Sequence, residues 1–233
     1  MRKFAILVAF GVLLVPASAS AALLSLGLSG NIGSKISFDG SNDSFEFTND
    51  FGFADFIVTS VVDLNDPSYT SGLAPTGAIG LSGEIDGTFT IETANGTADR
   101  APVSGIGTFR IVDSFGVAFL ADLSWTDIST NGAIAGTNTS ATVNLSNFQY
   151  AGSNPDLVEI TRHAGGVITS SFQFSAPVTL AELTADDYTG SSSGWSASVV
   201  TAPEPGTLFL AGLGLAGLGS MAARRRSKKS SAA

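Results

Sequence analysis

An all-β fold, an antiparallel sandwich or jelly-roll, is what this sequence predicts, and three observations lead to it. Apolar and polar residues alternate with a period of two, turn-forming dipeptides recur every ~8–12 residues, and no long helical stripe occurs before Thr207. The 180 residues from Ala22 to Thr201 are enough for one core.

The clearest strand is Val117–Trp125. Val117, Phe119, Ala121, Leu123 and Trp125 fall on one face, with Ala118, Leu120, Asp122 and Ser124 between them. In chain order the other candidates are Phe45–Phe47, Phe56–Leu64, Ala78–Ile85, Thr88–Glu92, Thr108–Val112, Thr142–Phe148, Leu157–Arg162, Val167–Phe174 and Trp195–Val200. Hairpin turns are expected at Asp86-Gly87, Phe115-Gly116, Asn131-Gly132 and Ala164-Gly165-Gly166, because glycine tolerates the positive backbone angles such turns need. Asn65–Gly77 and Ala94–Gly105 read as long loops, and Leu180–Asp187 as one turn of helix.

Composition narrows the function. The 233 residues are 44% hydrophobic and 13% charged, too apolar for a disordered chain and too interrupted for a multi-pass membrane protein. Arg2 and Lys3 at one end and Arg224, Arg225, Arg226, Lys228 and Lys229 at the other account for most of the basic residues. The middle keeps only Lys35, Arg100, Arg110 and Arg162 against nineteen acids, a net −15. Such a surface repels phosphate backbones and anionic lipid, so nucleic acid is not expected as a partner.

The two ends are unlike the middle. Residues 1–21 combine Arg2 and Lys3, an apolar run Phe4–Val15, Pro16 and small residues. This reads as a secretory signal peptide with Ala17-Ser18-Ala19 or Ala19-Ser20-Ala21 as the cleavage site. An exported chain can form disulfides, yet this one has no cysteine, which leaves stability to an ordinary core or to bound ions. At the other end Thr207–Ala223 contains seventeen uncharged residues. As a helix it would reach about 25 Å at ~1.5 Å per residue, the short limit for a bilayer. The basic cluster after it would stay cytoplasmic, leaving the acidic domain of residues 22–201 outside.

Site chemistry is sparse. His163 is the sole histidine, and no Gly-x-Ser-x-Gly elbow accompanies it, so it reads as a turn residue rather than a triad member; the chain is not expected to be an enzyme. Asp39 and Asp43 in one loop and Asp63 and Asp66 in another offer hard oxygen donors of the kind calcium takes. Solvated turn acids are the competing reading, and Gly40 directly after the first acid departs from the EF-hand order. Trp125 continues an apolar face and reads as core, whereas Trp195, between glycine and serine, is the ring better placed to stack on a sugar.

Pro203-Glu204-Pro205, the Gly/Leu-rich span Thr207–Ala223 and Arg224-Arg225-Arg226 follow one another in residues 202–233. Two prolines around one acid keep the first part extended, where a processing enzyme would bind it as a strand. This order resembles the PEP-CTERM sorting signal of Gram-negative bacteria. The resemblance implies that Pro203, Glu204 and Pro205 are the recognition motif of an exosortase, a membrane-embedded transpeptidase-like enzyme. It also implies that Thr207–Ala223 is a transient anchor and that Arg224, Arg225 and Arg226 are the stop signal. The tail Ser227–Ala233 is longer than that pattern leads one to expect. Similar proteins are secreted by biofilm formers that make exopolysaccharide. The expectation is therefore an exported protein, anchored in the inner membrane before processing and then at the cell surface or extracellular, structural or adhesive in an exopolysaccharide layer. A secreted carbohydrate-binding module is the alternative, and a secreted hydrolase a more distant one.

Overall fold

The computed structural model describes residues 24–64, 66, 68–69, 71–130, 139–163, 165–172, 178–185, 188–190 and 195–202. In chain order its strands are β1 (Leu24–Gly30), β2 (Ser34–Asp39), β3 (Ser44–Asn49), β4 (Phe56–Asp63), β5 (Ser82–Asp86), β6 (Thr88–Ile91), β7 (Arg100–Ser104), β8 (Ile106–Val112), β9 (Ala118–Thr130), β10 (Thr139–Gln149), β11 (Gly165–Phe172), β12 (Tyr188–Gly190) and β13 (Trp195–Ala202). Two short helices, α1 (Pro155–Ile160) and α2 (Leu180–Ala185), interrupt them.

Eight strands close on themselves. The hydrogen-bonded order is β1, β4, β5, β8, β9, β10, β11, β13 and back to β1, every pair antiparallel. The expected sandwich is therefore corrected to a closed barrel. Alternation says which face of a strand is buried, but not which edges meet. A closed sheet leaves no such edge exposed, and the same inward apolar pattern serves either architecture.

Long β9 makes a branch. Its first half pairs with β8 through residues 118–124, and further along the same edge residues 127–129 pair with β7. From β7 a second sheet runs through β6, β3, β2 and β12. Phe119, Ala121, Leu123 and Trp125 are buried along β9 as their alternation predicts, while Leu120, Asp122, Ser124 and Thr126 face out.

The inward residues of both sheets form one core. In the barrel Phe56 stacks on Phe109 at 5.1 Å between centroids. Between the sheets Phe45 meets Trp125 edge-on at 4.9 Å and lies 5.4 Å from both Phe38 and Phe89. Such ring pairs add to the area they bury. At Gly83 a Cβ would collide with the Phe56 ring and the Arg110 carbonyl, so the wall closes only with glycine there.

Several sequence expectations change on folding. Leu157–Arg162 is not a strand but mostly α1: Pro155 takes the first helical position and the Asn154 side chain accepts from the Leu157 N–H as a cap. Ala94–Gly105 is not all loop, because Arg100–Ser104 pairs with both β6 and β9. Only Ser82–Asp86 of the expected Ala78–Ile85 strand, shifted by one residue at its end, is extended in the sheet. Helix α2 stands where one helical turn was expected. Gly87 (φ 136°) and Gly116 (φ 82°) supply the positive angles of two expected turns. Asn131-Gly132 lies outside the described residues.

Registers fix which ends share a rim. By strand direction the starts of β1, β5, β9 and β11 and the ends of β4, β8, β10 and β13 point to one rim, with β5 staggered along β4 so that Ser82 stands opposite Ile57. This is the exit rim, where the chain leaves the barrel after Ala202.

Candidate functional site

The barrel is sealed by its own two ends. β1 lies between β4 and β13, with Ser25 opposite both Val62 and Val200, and β13 continues to Ala202 opposite Gly165. The Leu24 N–H donates to Thr201 Oγ1 at 3.0 Å, and Thr201 is only 2% exposed. Pairs so distant in sequence are closed only by the finished fold. The last described residues of β13 are thus part of the wall, and Pro203, Glu204, Pro205, Thr207–Ala223, Arg224, Arg225 and Arg226 follow outside the described residues, as does the N-terminal residues 1–21 expectation. Among the described residues no helix is long and apolar enough to cross a membrane.

A polar network closes the exit rim. Asp156 on α1 is fully buried and accepts hydrogen bonds from Ser71 Oγ (2.6 Å), the Ala78 N–H (2.6 Å) and the Tyr69 hydroxyl. Asn154 Nδ2 donates to the Gly77 carbonyl at 2.9 Å, and its own N–H donates to Tyr150 Oη at 2.9 Å. Tyr150 in turn donates to Asp113 Oδ2 at 2.6 Å. The loop between β4 and β5, the turn between β8 and β9, and α1 are locked to one another this way.

Burial and these partners set the titrations. The Tyr69 phenol is pushed well above its ordinary value by burial and by the Asp156 carboxylate it faces. Tyr150 is raised by burial and by Asp113, and Asp113 is lowered by the Tyr150 hydroxyl and by the N–H groups of its own turn. His163, just past α1, is 4% exposed, and among the described residues neither ring nitrogen has a hydrogen-bond partner.

The acids considered for calcium serve as turn acceptors. Asp39 Oδ1 accepts from the Ser41 N–H (3.0 Å), Ser41 Oγ (2.6 Å) and the Asn42 N–H (3.2 Å), while Oδ2 accepts from Asn42 Nδ2 (2.6 Å). The Ser41 hydroxyl leads the interactions that hold Asp39 below its ordinary value. Asp43 sits at φ 48° and accepts from Thr93 Oγ1 at 3.2 Å. Asp63 accepts from the Asp66 N–H at 3.2 Å, and Asp66 accepts from the N–H (3.0 Å) and Oγ (2.5 Å) of Ser68, which lowers its titration. Among the described residues no group of three or more histidine, cysteine or acidic side chains could hold a metal ion.

Trp125 is core, 5% exposed. Trp195 opens β13, and its side chain lies outside the described residues. Among the described residues the large exposed rings are Phe51 (64%), Phe53 (60%) and Phe115 (74%). Asn49 presents the first two. Its Oδ1 accepts from the Phe51 and Phe53 N–H groups, and its Nδ2 donates to the Ile32 and Ala54 carbonyls. Sequence reasoning missed these three rings as a surface, although each flanks a glycine in a turn, where a side chain has the least sheet to cover it.

A family model described as the PEP-CTERM protein-sorting motif matches residues 201–226. Its first two residues, Thr201 and Ala202, are the last two of β13, so the matched segment begins inside the barrel wall. No curated protein and no solved structure matches the chain.

Proposed function

From a chain that carries a PEP-CTERM sorting motif, and is by that token an exported protein with an exosortase as processing partner, we propose that the barrel is the mature cargo. It is a non-catalytic protein, structural or adhesive in an extracellular polysaccharide layer. Thr207–Ala223 anchors it in the inner membrane until exosortase acts at Pro203-Glu204-Pro205, after which it reaches the surface or the exterior.

The observation that carries the sorting reading is the match that starts where the barrel ends, at residues 201–226. A folded cargo followed at once by a recognition segment is the arrangement a processing enzyme at a membrane needs. In support of a non-catalytic role, the sole histidine is buried and has no hydrogen-bond partner among the described residues. Replacing Pro203, Glu204 and Pro205 together by alanine in the producing cell tests the sorting reading. We expect the full-length chain to accumulate in the membrane fraction, and normal processing and display would contradict it.

A carbohydrate-binding module is the second reading, favoured by Phe51 and Phe53, which Asn49 holds out to solvent. Trp195 belongs to the same reading. Glycan-array binding lost in Phe51→Ala or Phe53→Ala would favour it, and an array without hits would leave the structural role.

A further inference from the structure

Beyond the sorting motif, the exit rim has the chemistry of a surface that meets lipid. Three large apolar side chains stand out from its loops: Leu64 (51% exposed), Leu73 (71%) and Phe115 (74%). Leu64 starts the β4–β5 connection, Leu73 lies near its middle between Ser71 and Ala78, which bond Asp156 on α1 at this rim, and Phe115 belongs to the β8–β9 turn. The outer wall continues the pattern. Val62, Val200 and Val167 lie in one lateral row across β4, β1, β13 and β11, through the register Val62↔Ser25↔Val200↔Val167. Their inward neighbours Val61, Val199 and Ile168 are buried, whereas Val62 and Val167 are 44% and 37% exposed. Farther from the rim the outward positions of β11 and β13 become polar, Thr169 and Ser171 on one strand and Ser196 and Ser198 on the other.

Chain length brings that surface to a membrane. Only Pro203–Gly206 stand between Ala202 and Thr207. Five Cα steps reach at most about 18 Å fully extended. If Thr207–Ala223 is the anchor, as proposed above, the exit rim cannot stand farther than that from the place where the span enters lipid. The opposite rim, with Phe51 and Phe53, is held a barrel's length away.

We propose that the exit rim rests on the outer face of the bilayer that holds the anchor, with Leu73 and Phe115 dipping into the headgroup region. Charge narrows the lipid. Asp63, Asp66 and Glu159 lie on the same side, and Arg162 is paired with Glu159. The contact is therefore with zwitterionic lipid, and anionic lipid weakens it.

The absence of cysteine makes a direct test simple. The full chain, carrying a single Leu73→Cys, Phe115→Cys or Phe53→Cys, is labelled with an environment-sensitive fluorophore and reconstituted into phosphatidylcholine vesicles that contain a headgroup nitroxide quencher. The expected result is loss of most of the emission at positions 73 and 115, with position 53 unchanged. A chain that floats with the vesicles while positions 73 and 115 emit like position 53 would overturn the rim contact and leave the anchor intact. A chain that does not float with the vesicles would overturn the anchor, and the rim contact with it. All three sites are at least 60% exposed, and the Phe53 variant controls for folding of the labelled barrel.

Discussion

At the exit rim, Asp156, Asn154, Tyr150 and Asp113 tie α1 to two loops through directional hydrogen bonds; on the far half of β9, Phe38, Phe45, Phe89 and Trp125 join the second sheet to the barrel by ring packing. Ring packing stabilises in proportion to area and tolerates small shifts. The polar network is all-or-none at each donor, because a buried group that loses its partner keeps its desolvation cost. The barrel is thus joined to its side sheet by bulk, and closed where the sorting segment leaves by geometry.

The largest effect that separates the two is expected from Phe45→Ala. It removes a 1%-exposed ring that touches three others, and should cost about 4 kcal/mol in urea unfolding. A loss below about 1 kcal/mol would mean that the side sheet is not packed on the barrel as described. Next comes Asp156→Ala, which strands the Ser71 and Tyr69 hydroxyls and the Ala78 N–H and should cost about 3 kcal/mol. Hydrogen exchange should rise first in residues 71–79 of this variant. Exchange that rises uniformly would show that the network does not act locally.

The two ends should also answer pH in opposite senses. At the far rim the Asp55 carboxyl, which accepts the Ile85 N–H, is pushed up from its ordinary 3.8 to about 6, first by burial and then by Glu84 and Asp86. A raised carboxyl takes up its proton earlier in the folded state. Between those two values folding binds protons, so this group makes the fold more stable as pH falls from about 7 toward 5. Asp113 at the exit rim is lowered, so its contribution is present above the ordinary value and lost as pH falls below about 4. Asp55→Asn should flatten the upper slope and Asp113→Asn the lower one in pH-dependent melting. Exchanged slopes would reverse the assignment. The smallest change is Arg162→Ala, which removes an exposed pair with Glu159 and should stay within about 0.5 kcal/mol of the parent.

What could be read from the sequence follows the same division. Alternation found β9 and the burial of Trp125, because facing is a local property of a strand. It found neither closure, which rests on Ser25 meeting Val200, nor the network around Asp156, whose partners lie 78 to 87 residues earlier. Leu157–Arg162 reads as a strand because Leu157 and Ile160 are apolar, while the cap that makes it helix α1 is Asn154-Pro155. The sorting segment was legible because its function rests on a linear order of residue types, which the match to residues 201–226 reproduces.

The join between barrel and tail is where the two halves of this molecule constrain each other. Thr201 is in the wall, so processing upstream of it would remove part of the strand that seals β1 to β11. Intact mass and C-terminal peptide mapping of the mature protein from its own host test this most directly. The proposed processing, with β13 kept whole, predicts a chain that starts at Ser20 or Ala22, ends no earlier than Ala202 and lacks Arg224–Arg226. A mature mass that retains those arginines, or an end inside β13, would contradict it.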